Sequence, residues 1–210
     1  MKLPEAINKL AEKLSLLPSI GPRQATRLAF YLVGRGAENI RSLAEDIDEL
    51  RKIKICERCF FVHQNSDSLC DICKNVSRRQ DIIMVVEKET DLMSLENTGK
   101  FNGRYFILGP IPKTGLLTDW QKLRLQSLKN FIEKSLSGNP PSPAATAGKA
   151  EEIILAFNPT TLGDFHASLL TKELQTFTKK ISRLGRGLPT GGEIEFADDE
   201  TLGSALEGRA

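Results

Sequence analysis

The 210-residue chain has no apolar run of membrane-spanning length, which excludes a helical membrane anchor. Met1 leads straight into charged, helix-patterned sequence with no apolar signal segment, so a cytoplasmic location is expected. An excess of one charge is also missing. The balance of 29 Lys and Arg against 27 Asp and Glu leaves +2, too little for a generally basic nucleic-acid coat. Tyrosine is nearly absent: Tyr31 and Tyr105 fall by pattern within a helix and a strand, so no tyrosine nucleophile is expected. Cysteine is confined to four positions. What remains is ordinary for a soluble globular protein, with 40% hydrophobic and 27% charged residues and enough chain for one or two domains.

The four cysteines read Cys56-x-x-Cys59, then Cys70-x-x-Cys73. Two such pairs fold back to aim four thiolates at one tetrahedral centre, the donor set of a closed structural zinc site. Two disulfides are the rival reading, but disulfides suit small secreted domains. One structural Zn per chain is therefore expected. His63 lies inside the loop and, with four sulfurs available, is expected to face solvent. Lys54, Arg58, Lys74, Arg78 and Arg79 flank the ligands. That basic flank either touches DNA or only keeps a small module soluble.

Charge is distributed unevenly. Residues 1–36 carry six Lys/Arg against two Glu, whereas 193–207 is strongly acidic. Ile7, Leu10, Leu14 and Leu17 recur at helical spacing. Then Leu17-Pro18-Ser19-Ile20-Gly21-Pro22 marks a tight turn, with Gly21 expected to supply a positive φ and Pro22 suited to a first helical turn. In the second helix Ala25, Leu28, Ala29, Leu32 and Val33 share one face, and Arg23, Arg27 and Phe30 the other. Ile40, Leu43, Ile47 and Leu50 mark a third amphipathic helix. Free N–H groups at the turn, the positive helix end, Arg23 and Arg27 together make a sequence-independent phosphate grip. A plain helical hairpin is the other reading. The pattern resembles the helix-hairpin-helix module of DNA-repair proteins, whose turn usually reads Gly-Ile-Gly. Ser19 replaces the first glycine and is expected to keep a capping role.

From residue 80 onward strands alternate with helices. Ile82–Val86 is a continuous apolar run that reads as a strand covered on both faces, and Tyr105–Leu108, Ile153–Phe157 and Lys179–Leu184 read as further strands; their alternation with helices implies a mostly parallel sheet between helices. Thr118 with Gln121 forms a capping box for the helix carrying Trp120 to Leu136. Glu87 and the loop 158–164 fall at strand C-terminal ends, where functional residues collect. This arrangement resembles the Toprim fold, whose acids hold Mg²⁺ for phosphoryl chemistry. Glu87 matches its first acid. The second site expects two acids two positions apart, but here reads Leu162 and Asp164. Two carboxylates hold Mg²⁺ poorly, so neither Mg²⁺ nor catalysis is expected. The segment 137–149, rich in Pro, Ser, Ala and Gly, reads as a flexible surface insertion.

These parts stand in a fixed order: hairpin, four-cysteine module, Toprim-like region, and the tail Ile181-Ser182-Arg183-Leu184-Gly185-Arg186-Gly187-Leu188-Pro189-Thr190-Gly191-Gly192-Glu193. With Leu28-Ala29-Phe30, Val85-Val86-Glu87 and Asn158-Pro159-Thr160, nearly the whole chain resembles the bacterial recombination mediator family RecR. The resemblance implies a multi-domain α+β protein with four parts. They are a helix-hairpin-helix domain (1–54), a zinc finger (55–78), a Toprim domain (80–177), and a C-terminal region (178–210) that completes the sheet and subunit contacts. It implies a non-enzymatic DNA repair and recombination mediator, a dimeric or tetrameric ring working with RecO and RecF to load RecA at single-stranded gaps. Arg23, Arg27, Ser19 and Gly21 would contact single- or double-stranded DNA. Phe30 would pack between subunits, and Glu87 and Asp164 would mark a docking surface for RecO or RecF. No membrane partner is implied. A Mg²⁺-dependent Toprim enzyme that nicks or joins DNA is the alternative.

Overall fold

A computed structural model describes residues 3–112, 114, 116–137 and 148–208. The expected insertion at 137–149 therefore lies, apart from its ends, outside the described residues. The chain forms two compact units, Met1–Ile53 and Lys54–Ala210.

The first unit holds three helices: α1 (Glu5–Ser15), α2 (Pro22–Gly34) and α3 (Ala37–Glu49). α1 and α2 pack through small residues, since only Ala25 and Ala29 of α2 are buried. Burial stops there. Val33, expected inward, is 57% exposed, while Leu32 beside it is half-buried. α3 buries nothing: its apolar stripe Ile40, Leu43 and Ile47, continued by Leu50, stays exposed.

The second unit begins with a small module. Strand β1 (Lys54–Ile55) pairs antiparallel with β2 (Val62–His63), and the four-residue helix α4 (Asp71–Lys74) follows. Next come β3 (Ile82–Val86), α5 (Glu89–Glu96), β4 (Arg104–Ile107) and α6 (Asp119–Ser137). After them lie β5 (Ala150–Ala156), α7 (Thr161–Leu174), β6 (Thr178–Arg183) and α8 (Asp199–Glu207). The four longer strands form one parallel sheet in the order β4-β3-β5-β6.

Strand alternation sends successive side chains to opposite faces, and both faces are covered. Ile83, Val85, Phe106, Ile153 and Leu155 meet Leu125, Leu128 and Ile132 of α6 and Leu170 and Leu174 of α7. Met84, Val86, Tyr105 and Ile107 meet Leu92 of α5 on the other side. Each such aliphatic side chain contributes roughly 1.5–3 kcal/mol on burial. The Thr118/Gln121 pair makes one half of the expected capping box: the Gln121 side chain takes the Thr118 N–H, while the Thr118 hydroxyl donates to that side chain rather than accepting from Gln121 N. Gln121 Oε1 accepts from Thr118 N and Oγ1 at 2.9 Å each, and its Nε2 donates to Gly109 O and Pro110 O. No helix among the described residues is long and apolar enough to cross a membrane.

Candidate metal centre and nucleic-acid interface

The cysteine pairs sit where the chain reverses. Cys56 and Cys59 occupy the β1–β2 turn, closed by Cys56 N donating to Phe61 O at 2.8 Å and Phe60 N to Cys56 O at 3.0 Å. Cys70 caps α4, and Cys73 lies within it. All four are at most 2% exposed, and their sulfurs lie within 4.8 Å of one another. A tetrahedral zinc site with bonds of about 2.3 Å separates sulfurs by about 3.8 Å, so the cage has the right size. Cys59 Sγ and Cys70 Sγ lie 3.4 Å apart, far beyond a disulfide bond, and all four thiols are free. Hydrogen bonds among the four thiols pull Cys56 below its ordinary pKa and push Cys59 and Cys73 above theirs, the behaviour of sulfurs crowded into one cage.

His63 is not exposed as expected. Val62 points outward and His63 inward, as alternation along β2 requires, and its Nδ1 accepts from Asn65 N at 3.2 Å. Its Nε2 is buried without a partner among the described residues.

Two ring contacts and one main-chain hydrogen bond seat the module on the sheet. Phe60, held at a φ of 65°, meets Phe106 edge-on at 5.4 Å, and Arg124 stacks over Phe60 at 4.5 Å. Ile107 N of β4 donates to Cys59 O at 2.9 Å. The module thus covers the edge of strand β4, which would otherwise present unpaired groups. Arg78 ties the module's exit to α5 through Glu96, at 2.6 and 2.7 Å. Sequence pattern gave Arg104 and Arg124 no role, because a lone arginine in a strand or helix carries no periodicity.

In the α1–α2 turn the expected roles are exchanged. Ser19 holds the positive φ, 64°, whereas Gly21 is extended at −82° and caps α2. No side-chain cap bond forms, so Ser19 does not cap the helix. A β-carbon is tolerated poorly at this φ, which is why glycine suits the position that Ser19 fills. The N–H groups of Gly21, Arg23 and Gln24 donate to no protein acceptor among the described residues. Arg23 and Arg27 are exposed and in no ion pair among the described residues. With Gln24, Leu28 and Tyr31 they line a hollow of about 590 Å³. Tyr31, 61% exposed, completes an i, i+4, i+8 stripe with the arginines, a spacing legible in sequence but overlooked there. Phe30 is exposed too.

The Toprim-like acids part company. Glu87 Oε1 accepts from Ile111 N at 3.3 Å. Asp164 is bound by Arg183 and Arg186, Arg183 foremost in holding its carboxyl below the usual range. Arg186 also pairs with Glu200 of α8 at 3.0 Å, so this acid fastens the C-terminal segment to α7. His166, one turn into α7, is buried with Nε2 unpartnered among the described residues. Burial pushes its imidazole below the ordinary pKa while Glu87 pulls it back up. Gly163 is needed for closeness: a Cβ there would lie 2.0 Å from Asn158 O.

Comparison with known proteins agrees with this layout. Residues 7–51 match the family described as "RecR, helix-hairpin-helix", 81–185 the "Toprim domain", and 187–210 "RecR, C-terminal". The recombination protein RecR of Dehalococcoides mccartyi is 39% identical over 206 residues, covering 97% of this chain and 93% of that protein. That of Roseiflexus castenholzii is 37% identical over 208 residues, covering 99% and 94%. That of Rubrobacter xylanophilus is 34% identical over 207 residues, covering 97% and 96%. With relatives at this identity along nearly its whole length, the chain belongs to the RecR family of recombination proteins.

Proposed function

We propose that this chain is a non-enzymatic mediator of DNA repair and recombination that grips DNA without reading its sequence. The observation that carries the reading is the α2 surface: two unpaired arginines, free main-chain donors and the positive end of a thirteen-residue helix share one hollow. Free main-chain N–H groups and a helix end address phosphate oxygens rather than base edges, so we attribute the affinity to phosphates. Tyr31 adds a face on which a base can stack.

Membership in the RecR family supports the finer points. The chain assembles as a dimeric or tetrameric ring, works with RecO and RecF, and helps load RecA at single-stranded gaps. The bare apolar stripe of α3, with Phe30, suits it for subunit packing. The surface around Glu87 and 158–164 is the docking region for RecO or RecF, with Arg23, Arg27, Ser19 and Gly21 on the DNA side. The proposed divisions are 1–54, 55–78, 80–177 and 178–210. The four cysteines hold one structural Zn, which braces the fold and performs no chemistry. A Mg²⁺-dependent nicking role is disfavoured, because Leu162 offers no oxygen and Asp164 already serves two arginines.

Charge reversal tests this. Arg23→Glu with Arg27→Glu should abolish anisotropy-detected binding to two unrelated DNA sequences while zinc content and circular dichroism stay unchanged. Wild-type affinity in the double variant overturns the reading.

A further inference from the structure

We propose that Arg104 is the buried counter-ion of a zinc tetrathiolate at Cys56, Cys59, Cys70 and Cys73. It is a positioning residue for the Cys73 end of that site. The proposal rests on reading the four cysteines as a zinc centre, whose divalent ion and four thiolates leave a dianion. All four ligands are buried, so that dianion needs a cation held out of water beside it.

Arg104 meets the description. It opens strand β4 and is 4% exposed. Its Nη1 donates to Cys73 O at 2.5 Å and to Ile72 O at 3.3 Å, reaching the main chain that carries the last ligand. Among the described residues it pairs with no carboxylate. Arg78, similarly buried, shows the contrast: it has Glu96. Arg104 Nε finds no acceptor at all among the described residues. A guanidinium without an anion thus reaches the main chain of the last ligand of a site whose zinc complex would be a dianion. Arg58, half-buried, adds a weaker second positive charge, its Nη1 lying 3.4 Å from the same Cys73 O.

The test uses the full chain as wild type, Arg104→Gln, Arg104→Lys and Arg58→Gln. Zinc affinity is read by competition with a chromophoric chelator, and thiolate ligation by the charge-transfer bands of the Co²⁺-substituted protein. Arg104→Gln should weaken zinc binding roughly 10- to 100-fold, the usual effect of losing a group that supports a metal ligand. Arg104→Lys should recover most of that loss, and Arg58→Gln should cost less than Arg104→Gln. Wild-type zinc affinity in Arg104→Gln overturns the proposal. So does Arg104→Lys proving as weak as Arg104→Gln, which would assign the residue a packing role without charge. Should Arg104→Gln fail to fold, Arg104→Lys decides. Cobalt bands at the wild-type position with near-wild-type zinc affinity support the counter-ion, and their loss overturns it. A wild-type chain that takes up no zinc sinks the metal reading and the counter-ion together.

Discussion

Replacing Glu96 by Gln removes one negative charge from beside a buried guanidinium. The Arg78 side chain is 7% exposed and makes four hydrogen bonds. Two go to Glu96 at 2.6 and 2.7 Å, one to Gly103 O at 2.9 Å and one to Phe101 O at 2.9 Å. In Glu96→Gln the two carbonyls remain but no anion does. An uncompensated buried charge of this kind costs about 3 kcal/mol. For a unit the size of Lys54–Ala210 that is a fall in Tm of about 6–12 °C. Thermal unfolding followed by circular dichroism measures it. The pair also has a pH signature. Arg78 holds the Glu96 carboxyl below its ordinary pKa, so protonation favours the unfolded chain. The stabilisation is therefore complete above the ordinary carboxylate value and fades as pH falls through the depressed folded one. Wild type and Glu96→Gln should converge in stability at acid pH. A Glu96→Gln protein within 0.5 kcal/mol of wild type at neutral pH, an allowance about the size of an ordinary surface substitution, refutes the reasoning.

Gly163→Ala drives a methyl group into Asn158 O, a main-chain atom that cannot swing aside, and should cost about 3 kcal/mol or more. Gly185→Ala, with nothing within 4 Å, should stay within about 0.5 kcal/mol, both read from denaturant midpoints. Ser19→Gly relieves a β-carbon at a φ of 64° and should stabilise the α1–α2 turn by about 0.5–1 kcal/mol, seen as slower amide exchange there. Cys59→Ser should lose zinc and speed amide exchange across 105–107, because Cys59 O holds the edge strand through Ile107 N.

Much of this was legible in the residues. Continuous apolar runs such as Ile82–Val86 gave the strands and their parallel pairing, since only a strand covered twice is apolar on both faces. Cysteine spacing gave the cage. Periodicity failed where one backbone angle or one neighbour decides. Whether Ser19 or Gly21 takes the left-handed conformation depends on how the turn closes. The inward placement of His63 escaped the sequence because a two-residue strand is too short for its alternation to be read there. Asp164 matched a family position, yet its partners Arg183 and Arg186 lie on the next strand and the loop beyond it. Arg104 was invisible because its meaning depends on what adjoins the far end of its side chain.

The central claim is that phosphates are gripped at the opening of α2. The slope of log affinity against log salt for a DNA oligonucleotide measures how many phosphate contacts are made. Neutralising Arg23 and Arg27 together with glutamine should reduce that slope in magnitude by about 1.5–2 for each subunit engaged. An unchanged slope, in a variant that keeps its fold and zinc, would place the grip elsewhere and contradict the account.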